Sequence, residues 1–565
     1  MKKIFLLMPF LFLTLLVQAQ EKVEQPNVLI ILTDDENTDT VGAYGSDVYT
    51  PNIDKIAKNG IKFTNAHVVH TICSPSRYAI LTGRYYDNSY SDQYLSDFPE
   101  GKVATVANAV TLEKDGLNLV GVLKQNGYTT GFVGKSHVLG HHLMKSNKGW
   151  EKGGLQTYPS TADPKTDAAT NKKMKANHEF WKDLVKAHGF DYANGVYSGN
   201  TRELYNEKSN FHNVEWTGDA AVQFIEEQAK ETKPFFLYVG TTYPHGPAPE
   251  RVVKGNYVVS LDTDPAYTGA GYNHDKDYSK VIANRQALKN DPKNKELSKK
   301  SPTATWWDGT VGNIINTLKA TGQYENTIIV YMSDHGKLNG GKSSLYQGGT
   351  HIPLLIQWPK KIQGDRTFNH VIGSIDITPT ILEACQVQKP DNMRIDGKSF
   401  FSVLKGAEEA HREALVLKMG YAYALRTDHW NYIAIRYSPE IERNIAQGKD
   451  FIGFKKEKIA QPYYILHKQL AQKSFMKNKH YLERNQLFNT ELENPEEINL
   501  FLKAPKKALE MKALLTKHLK EVNTRPFGEF FGDNPDIFAP ASNAIMYPEK
   551  ESTQNNIKLK KKLKG

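Results

Sequence analysis

The run Asn27-Val28-Leu29-Ile30-Ile31-Leu32-Thr33 is apolar without alternation and is followed at once by Asp34-Asp35. A strand with water on one face alternates polar and apolar residues, whereas an unbroken run is buried on both faces, as in a parallel sheet covered by helices. The pattern recurs. Tyr128 to Gly134 follows a helical stretch from Thr111 to Asn126, Pro234 to Gly240 follows one from Trp216 to Lys230, and Thr327 to Met332 follows one from Trp306 to Thr321. Strands alternating with helices predict crossover units, so the expected fold is α/β: a large, mostly parallel sheet with helices on both faces. In such sheets ligands gather beyond the carboxyl ends of the strands. Asp34-Asp35, Lys135-Ser136-His137, Tyr243-Pro244-His245 and Asp334-His335 all fall there.

The texture changes near residue 400. Tyr421 to Ile435 alternates as antiparallel strands do, and Pro505 to Val522 has the pattern of an amphipathic helix. The expected division is a larger α/β domain over 20–400 and a smaller C-terminal α+β subdomain over 401–565. The polar stretches Glu151 to Asn213 and Arg251 to Pro302 read as long loops that wall a substrate site. Lys2-Lys3, an apolar stretch from Ile4 to Leu16 and the small-residue end Val17-Gln18-Ala19 predict a signal peptide over 1–19 and export to the periplasm. The apolar stretch is shorter than the ~20 residues of a spanning helix, so no stable membrane anchor is expected. The basic tail Lys558 to Gly565 reads as a solvated end. With only Cys73 and Cys385 present there is no disulfide framework. Lys plus Arg, 72, exceed Asp plus Glu, 62, by 10, a modest excess that suits polyanions without choosing among sulfated glycans, nucleic acid and anionic lipid.

Two carboxylates at the end of a buried strand repel each other unless a cation or hydrogen-bond donors offset them, and a hard divalent ion does so. A solvated acidic turn is the alternative for either pair alone. Asp34-Asp35 and Asp334-His335 converging on one sheet edge favour the metal, and three carboxylates with one imidazole favour calcium or magnesium over zinc. In Thr71-Ile72-Cys73-Ser74-Pro75-Ser76-Arg77, Pro75 suits the first turn of a helix that continues to Thr82 and stops at Gly83. Cys73 then stands at a helix N-terminus, where an anion is favoured. Cys385, within Ile381-Leu382-Glu383-Ala384, reads as a buried apolar residue. Trp306-Trp307 reads as core packing.

Cys73-Ser74-Pro75-Ser76-Arg77 with Leu81-Thr82-Gly83-Arg84 resembles the signature of the type I sulfatases of the alkaline phosphatase superfamily, in which a maturation enzyme oxidises the Cys of a Cys-x-Pro-x-Arg core to formylglycine. The resemblance, which takes in exported bacterial polysaccharide sulfatases, extends through Thr50 to Asp54, Gly134-Lys135-Ser136-His137, Pro244-His245-Gly246-Pro247, Ser333-Asp334-His335-Gly336 and Lys342 to Pro353. It continues in Asp396-Gly397-Lys398-Ser399, Leu487-Phe488-Asn489 and Asn494 to Glu497. It implies one calcium ion held by Asp34, Asp35, Asp334 and His335 together with the formylglycine at Cys73. Arg77, Lys135 and His137 would hold and polarise the formylglycine, and Lys342 and His245 would contact the sulfate. The chain departs from the family where His335 replaces a frequent Asn and Ser136 a common Trp.

The chemistry agrees with these implied roles. A hydrated aldehyde has one hydroxyl to attack sulfur and a second whose deprotonation expels sulfate by carbon–oxygen cleavage. His245 is the expected general acid for the leaving alcohol, with His137 as the alternative acid or base. The expected substrate is a sulfated saccharide that loses sulfate from a terminal residue, and the partners are that carbohydrate and the maturation enzyme, not nucleic acid. A phosphomonoester or phosphonate ester hydrolase of the same superfamily is the alternative enzyme. An inactive sulfated-glycan-binding protein is the alternative from another class, and the full set of Cys73, Arg77, Lys135, His137, His245 and Lys342 argues against it. His141, His142, His212, Tyr243, Arg251 and Arg426 are the expected pocket-lining residues.

Overall fold

Asn27–Thr33 forms strand β1, and all its residues after Asn27 are buried. Val28, Ile30 and Leu32 enter one apolar cluster, while Leu29 and Ile31 enter another on the opposite face, which is why the run carries no polar alternation. The structure is a computed structural model and describes residues 24–522 apart from 100–109, 141–142, 144–146, 249, 254–255, 294–300, 438–442, 444–445, 448–461 and 464–467. The expected signal peptide, the basic tail, His141 and His142 lie outside the described residues, as does the side chain of Arg251.

The other strands of the main sheet are β2 (Ile61–Phe63), β3 (Thr129–Lys135), β4 (Tyr192–Tyr197), β5 (Phe235–Gly240), β6 (Thr327–Ser333), β7 (Leu354–Gln357) and β8 (Arg366–Phe368). The eight strands lie in the order β8-β2-β7-β6-β1-β5-β3-β4. Only β7 runs against its neighbours. Helices cover both faces. Helix α1 (Pro51–Lys58), α3 (Val214–Gln228) and α4 (Ser301–Ala320) pack on the Leu29 side, and α2 (Cys73–Thr82) on the Val28 side. Trp306 and Trp307 are 4% and 0% exposed, and Cys385 is 0% exposed, so all three are core residues as expected.

Three local expectations fail; the stretch read as a loop from Arg251 to Pro302 contains the helix Ser279–Asn290 and short strands, and the other two have identifiable reasons. The stretch from Thr111 is helical only over Leu119–Gln125, because Gly116 adopts a φ of +76° and the Asn118 side chain accepts from the Gly121 amide, starting the helix there. The stretch read as a polar loop from Glu151 contains the helix Ala168–Lys186 and strand β4. That helix is capped by Asp167 and buries Met174, Trp181 and Val185 on an otherwise polar surface, so its apolar stripe is too thin to stand out.

The C-terminal part holds a four-stranded sheet, β9 (Leu415–Met419), β10 (Ala422–Arg426), β11 (Trp430–Ile435) and β12 (Asn485–Asn489), antiparallel throughout. Helix α5 (Pro505–Val522) buries Ala508, Met511, Leu515 and Leu519 against the same core. Ala79 of α2 and Leu345 and Tyr346 belong to that core too, so the small sheet braces the elements that carry the signature cysteine and Lys342. Among the described residues no helix is long and apolar enough to cross a membrane.

Candidate active site

Parallel pairing sets the site. Thr33 pairs with Ser333, and the Asp334 amide donates to the Thr33 carbonyl at 3.0 Å, which brings Asp334 beside Asp34. The Asp34 amide donates to the Tyr243 carbonyl at 3.0 Å, drawing in the loop that follows β5. Lys135 ends β3, so three neighbouring strands and the β5 loop deliver their polar ends to one edge. Asp35, His137 and Ser343 have φ angles of 65°, 54° and 68°, a left-handed region costly for side-chain-bearing residues and tolerated where surrounding contacts over-determine it.

Helix α2 begins at Cys73 and ends at Gly83, whose φ is +66°. Cys73 Sγ lies 3.5 Å from Asp34 Oδ1, 3.3 Å from His335 Nε2 and 3.9 Å from Lys342 Nζ. Four residues on, one helical turn, Arg77 faces the same centre. Its Nε donates to Asp334 Oδ2 at 2.9 Å, Nη2 to Asp34 Oδ2 at 3.3 Å, and Nη1 to the Tyr238 hydroxyl at 3.0 Å and the Lys135 carbonyl at 3.2 Å. Lys135 Nζ donates to Asp34 and, at 2.6 Å, to Asn200 Oδ1. Lys342 Nζ donates to Asp35 Oδ1 at 2.6 Å.

Three carboxylates therefore meet three cations in a site where Asp34, Arg77, Lys135, Asp334 and His335 are all 0% exposed. Burial pushes the Asp34 carboxyl up, but Lys135, with Arg77 and Lys342, outweighs it and holds it well below the ordinary range. Asp35 is likewise held low, chiefly by Lys342 acting against burial. The Lys342 ammonium is held high because Asp35 overcomes its desolvation. These cations change one inference drawn from sequence. Mutual repulsion of the carboxylates does not by itself demand a metal, since Arg77, Lys135 and Lys342 already offset it.

The donor set still fits an ion. Atoms of Asp34, Cys73, Asp334 and His335 lie within 4.8 Å of one another, and a second such group joins Asp34, Asp35, Cys73 and His245. His335 Nδ1 is 3.0 Å from the Gly336 carbonyl, which can only accept, so Nδ1 carries the hydrogen and the Nε2 lone pair faces the cluster. A ligating imidazole needs that tautomer. His245 is arranged the same way: Nδ1 donates to the Gly246 carbonyl at 2.9 Å, and Nε2 faces inward, 3.9 Å from Asp35 Oδ2. Burial, aided by Lys342, lowers His245 to about 3, so it is neutral in this structure. His137 is buried, and its amide donates to the Ser198 carbonyl at 2.8 Å.

The pocket-lining expectations divide. His212 sits behind the His245 loop: Nε2 donates to the His245 and Pro247 carbonyls at 2.9 and 3.0 Å, while Nδ1 accepts from the Thr242 hydroxyl at 2.9 Å. Tyr243 is 2% exposed and packs in the core. Arg426 is buried in the C-terminal sheet, where its charge acts on His67, His351 and Glu496. Sequence reasoning missed Asn200 and Tyr238, which hold Lys135 and Arg77. Tyr238 reads as one more core residue of a strand, and Asn200 follows a strand hidden inside a polar stretch.

Fold and site together define an α/β enzyme that handles an anionic ester at the carboxyl edge of its sheet. The chain belongs to the sulfatase family, whose profile matches residues 26–387, and sulfatases are sulfuric ester hydrolases. Members of that family use a metal ion and a formylglycine. An ulvan-active sulfatase of Formosa agariphila is 28% identical over 450 residues, covering 75% of this chain and 76% of that protein. The N-acetylglucosamine-6-O-sulfatase of Bacteroides thetaiotaomicron is 25% identical over 473 residues, covering 71% and 75%. A solved structure in complex with its substrate D-glucosamine-2-N,6-O-disulfate shares the fold, with a TM-score of 0.54 at 20% identity over 88% of this chain and 98% of that one.

Proposed function

We propose that this sulfatase is an exported enzyme that removes sulfate from a saccharide, acting on a terminal residue, with residue 73 as its nucleophile once matured. The observation that carries the reading is the position of Cys73 at the first residue of a buried helix, with Asp34, His335 and Lys342 around its sulfur and Arg77 on the next turn. Burial, reinforced by Asp34, raises the Cys73 thiol above its ordinary range, so the unmodified sulfur is a protonated and weak nucleophile. Formylglycine in its place supplies a hydrated aldehyde carbon, with one hydroxyl to attack sulfur and one to let sulfate leave. A calcium ion held by Asp34, Asp35, Asp334, His335 and residue 73 would supply fixed positive charge toward a sulfate oxygen.

The chain's own groups do the rest. Arg77, locked by two carboxylates and a tyrosine hydroxyl, holds the helix start against the sheet edge. Lys135 and Lys342 place positive charge where the equatorial oxygens of sulfate gain charge during in-line transfer. A sulfate seated beside His245 Nε2 adds negative charge, raises this histidine from its neutral state and prepares it to protonate the leaving alcohol. His137, two residues beyond Lys135 at the end of β3, would orient residue 73. The maturation enzyme is the implied partner, residues 20–400 are the catalytic unit, and the small sheet beyond 400 braces it.

Intact peptide mass decides the first step: active protein carries an aldehyde at residue 73, and full activity with unmodified Cys73 or with Cys73→Ala sinks the mechanism. Short position-defined sulfated oligosaccharides should release sulfate with their chain length unchanged. If all are inert while aryl sulfates turn over efficiently, the carbohydrate assignment fails. His245→Ala should slow sugar sulfates at least ~10²-fold and aryl sulfates with acidic leaving groups far less, as loss of a general acid does.

A further inference from the structure

Beyond the inner site, the loop after β4 turns back along its wall. The Ser136 and His137 amides donate to the Tyr197 and Ser198 carbonyls, both at 2.8 Å, and Asn200 holds Lys135. A single helical turn, Thr201–Leu204, follows at once, anchored by the Glu203 amide on the Asn200 carbonyl at 3.0 Å and the Thr201 hydroxyl on Asn210 Oδ1 at 2.9 Å. The Tyr158 hydroxyl bonds the Leu204 carbonyl at 2.5 Å and ties the turn to the neighbouring wall segment. Asn200 and Thr201 are buried, but the next side chain is not: Arg202 is 55% exposed.

Arg202 does not lie loose on the surface. Its Nε donates to Glu203 Oε1 at 2.9 Å, and Glu203 is only 11% exposed, so one edge of the guanidinium is fixed and the two Nη groups make no other bond among the described residues. Burial lowers this guanidinium and Glu203 raises it by more, and Asn200, two residues earlier, accepts from Lys135 Nζ at 2.6 Å and so pins the turn beside the inner site. A planar fork held by one edge, with its other donors unused, is the geometry that grips an oxyanion with two parallel bonds. The inner cations are committed to Asp34, Asp334 and Asp35, whereas Arg202 is two residues from the Lys135 partner and has no such commitment beyond its brace.

We propose that Arg202, braced by Glu203, is a specificity residue that binds a second oxyanion of the saccharide, a carboxylate or a further sulfate, beside the sulfate being removed. The proposal rests on the carbohydrate reading above and sharpens it: the preferred substrate carries at least two negative groups on the terminal sugar or its neighbour.

The test compares three matched oligosaccharides that share the scissile sulfate, one with no other charge, one with an added uronate carboxylate and one with an added sulfate. The matured wild type should prefer one of the doubly charged compounds through KM, and the compound preferred identifies the oxyanion. Arg202→Ala should reduce that preference, as a ratio of kcat/KM values, by about tenfold or more, and Arg202→Lys should keep part of it. A wild type without preference, or a preference that survives in Arg202→Ala, overturns the proposal, as does an equal fall in kcat on all three. A wild type inert on all three overturns the carbohydrate reading instead. Equilibrium binding of the same compounds to Cys73→Ala protein then judges Arg202 by itself, a binding ratio unchanged by Arg202→Ala counting against it.

Discussion

Arg77 in the active site and Arg426 in the C-terminal sheet are buried alike, 0% and 3% exposed, and their surroundings are opposite. Arg77 donates to Asp34, Asp334, the Tyr238 hydroxyl and the Lys135 carbonyl, and although burial alone would lower it, those neighbours hold it above its ordinary value. Arg426 has no hydrogen-bond partner for Nε or Nη1 among the described residues, and burial lowers it to about 10 against the weaker pull of Glu496. Burying a guanidinium is unfavourable in itself, and the carboxylates around it decide the balance. The sheet edge concentrates far more charge than the fold needs, which marks it as built for a ligand. The small sheet is built by apolar packing and tolerates one poorly satisfied charge.

The largest effect expected from breaking this contrast is Arg77→Met. It leaves two buried carboxylates short of their partner, so it should cost about 3–5 kcal/mol of stability and lower sulfate-ester turnover at least ~10³-fold, read by thermal melting and single-turnover kinetics. An unchanged melting temperature would show that the site does not depend on Arg77 as described. Asp334→Ala should abolish turnover and the binding of calcium together, because it removes a ligand oxygen and an Arg77 partner at once. Metal analysis finding no ion in active wild-type protein, or full turnover after exhaustive chelation, would count against the metal role.

Arg426→Met should do the reverse of Arg77→Met. Stability should stay within about 1 kcal/mol of wild type or rise, since a buried charge with unpartnered donors is replaced by apolar volume, and turnover should be unchanged. A loss comparable to that of Arg77→Met would mean that Arg426 has partners this comparison denies it. The smallest effect concerns pH. Burial raises the Glu496 carboxyl from an ordinary 4.5 to about 7, against a bond from the Gln347 amide at 2.7 Å and the charge of Arg426. The folded chain thus favours the neutral acid, and the stability this contributes is complete below about pH 4.5 and lost as pH rises through 7. Glu496→Gln should therefore melt like wild type near pH 4.5 and a few degrees higher at pH 8. Because Glu496 is partly exposed, solvent damps the difference.

Much of the site was legible because its signals are local. The spacing of Cys73 and Arg77 puts both on one helical face, Pro75 and Gly83 bound the helix, and each of β1, β3 and β6 is an apolar run ending in the polar group that matters. The strands β2, β7 and β8 were not legible, being three or four residues long, too short for a periodic pattern. Arg426 looked like a pocket residue because a lone arginine gives no sign of which face of a strand it will occupy. Arg202 passed unnoticed for the opposite reason, as one more charge in a polar stretch.

By itself, then, the amino-acid order determined what depends on neighbours in the chain: which runs must be covered on both faces, where α2 starts and stops, and which chemical groups end the strands. The tertiary structure alone decided what depends on pairing over long distances. Thr33 opposite Ser333 brings Asp34 to Asp334, Asn200 reaches Lys135 from the loop that follows the edge strand, and Ala79 and Leu345 share a core with the C-terminal sheet. Local periodicity records how a segment is buried but not against what, because the register and the partner are selected by the packing of the whole chain.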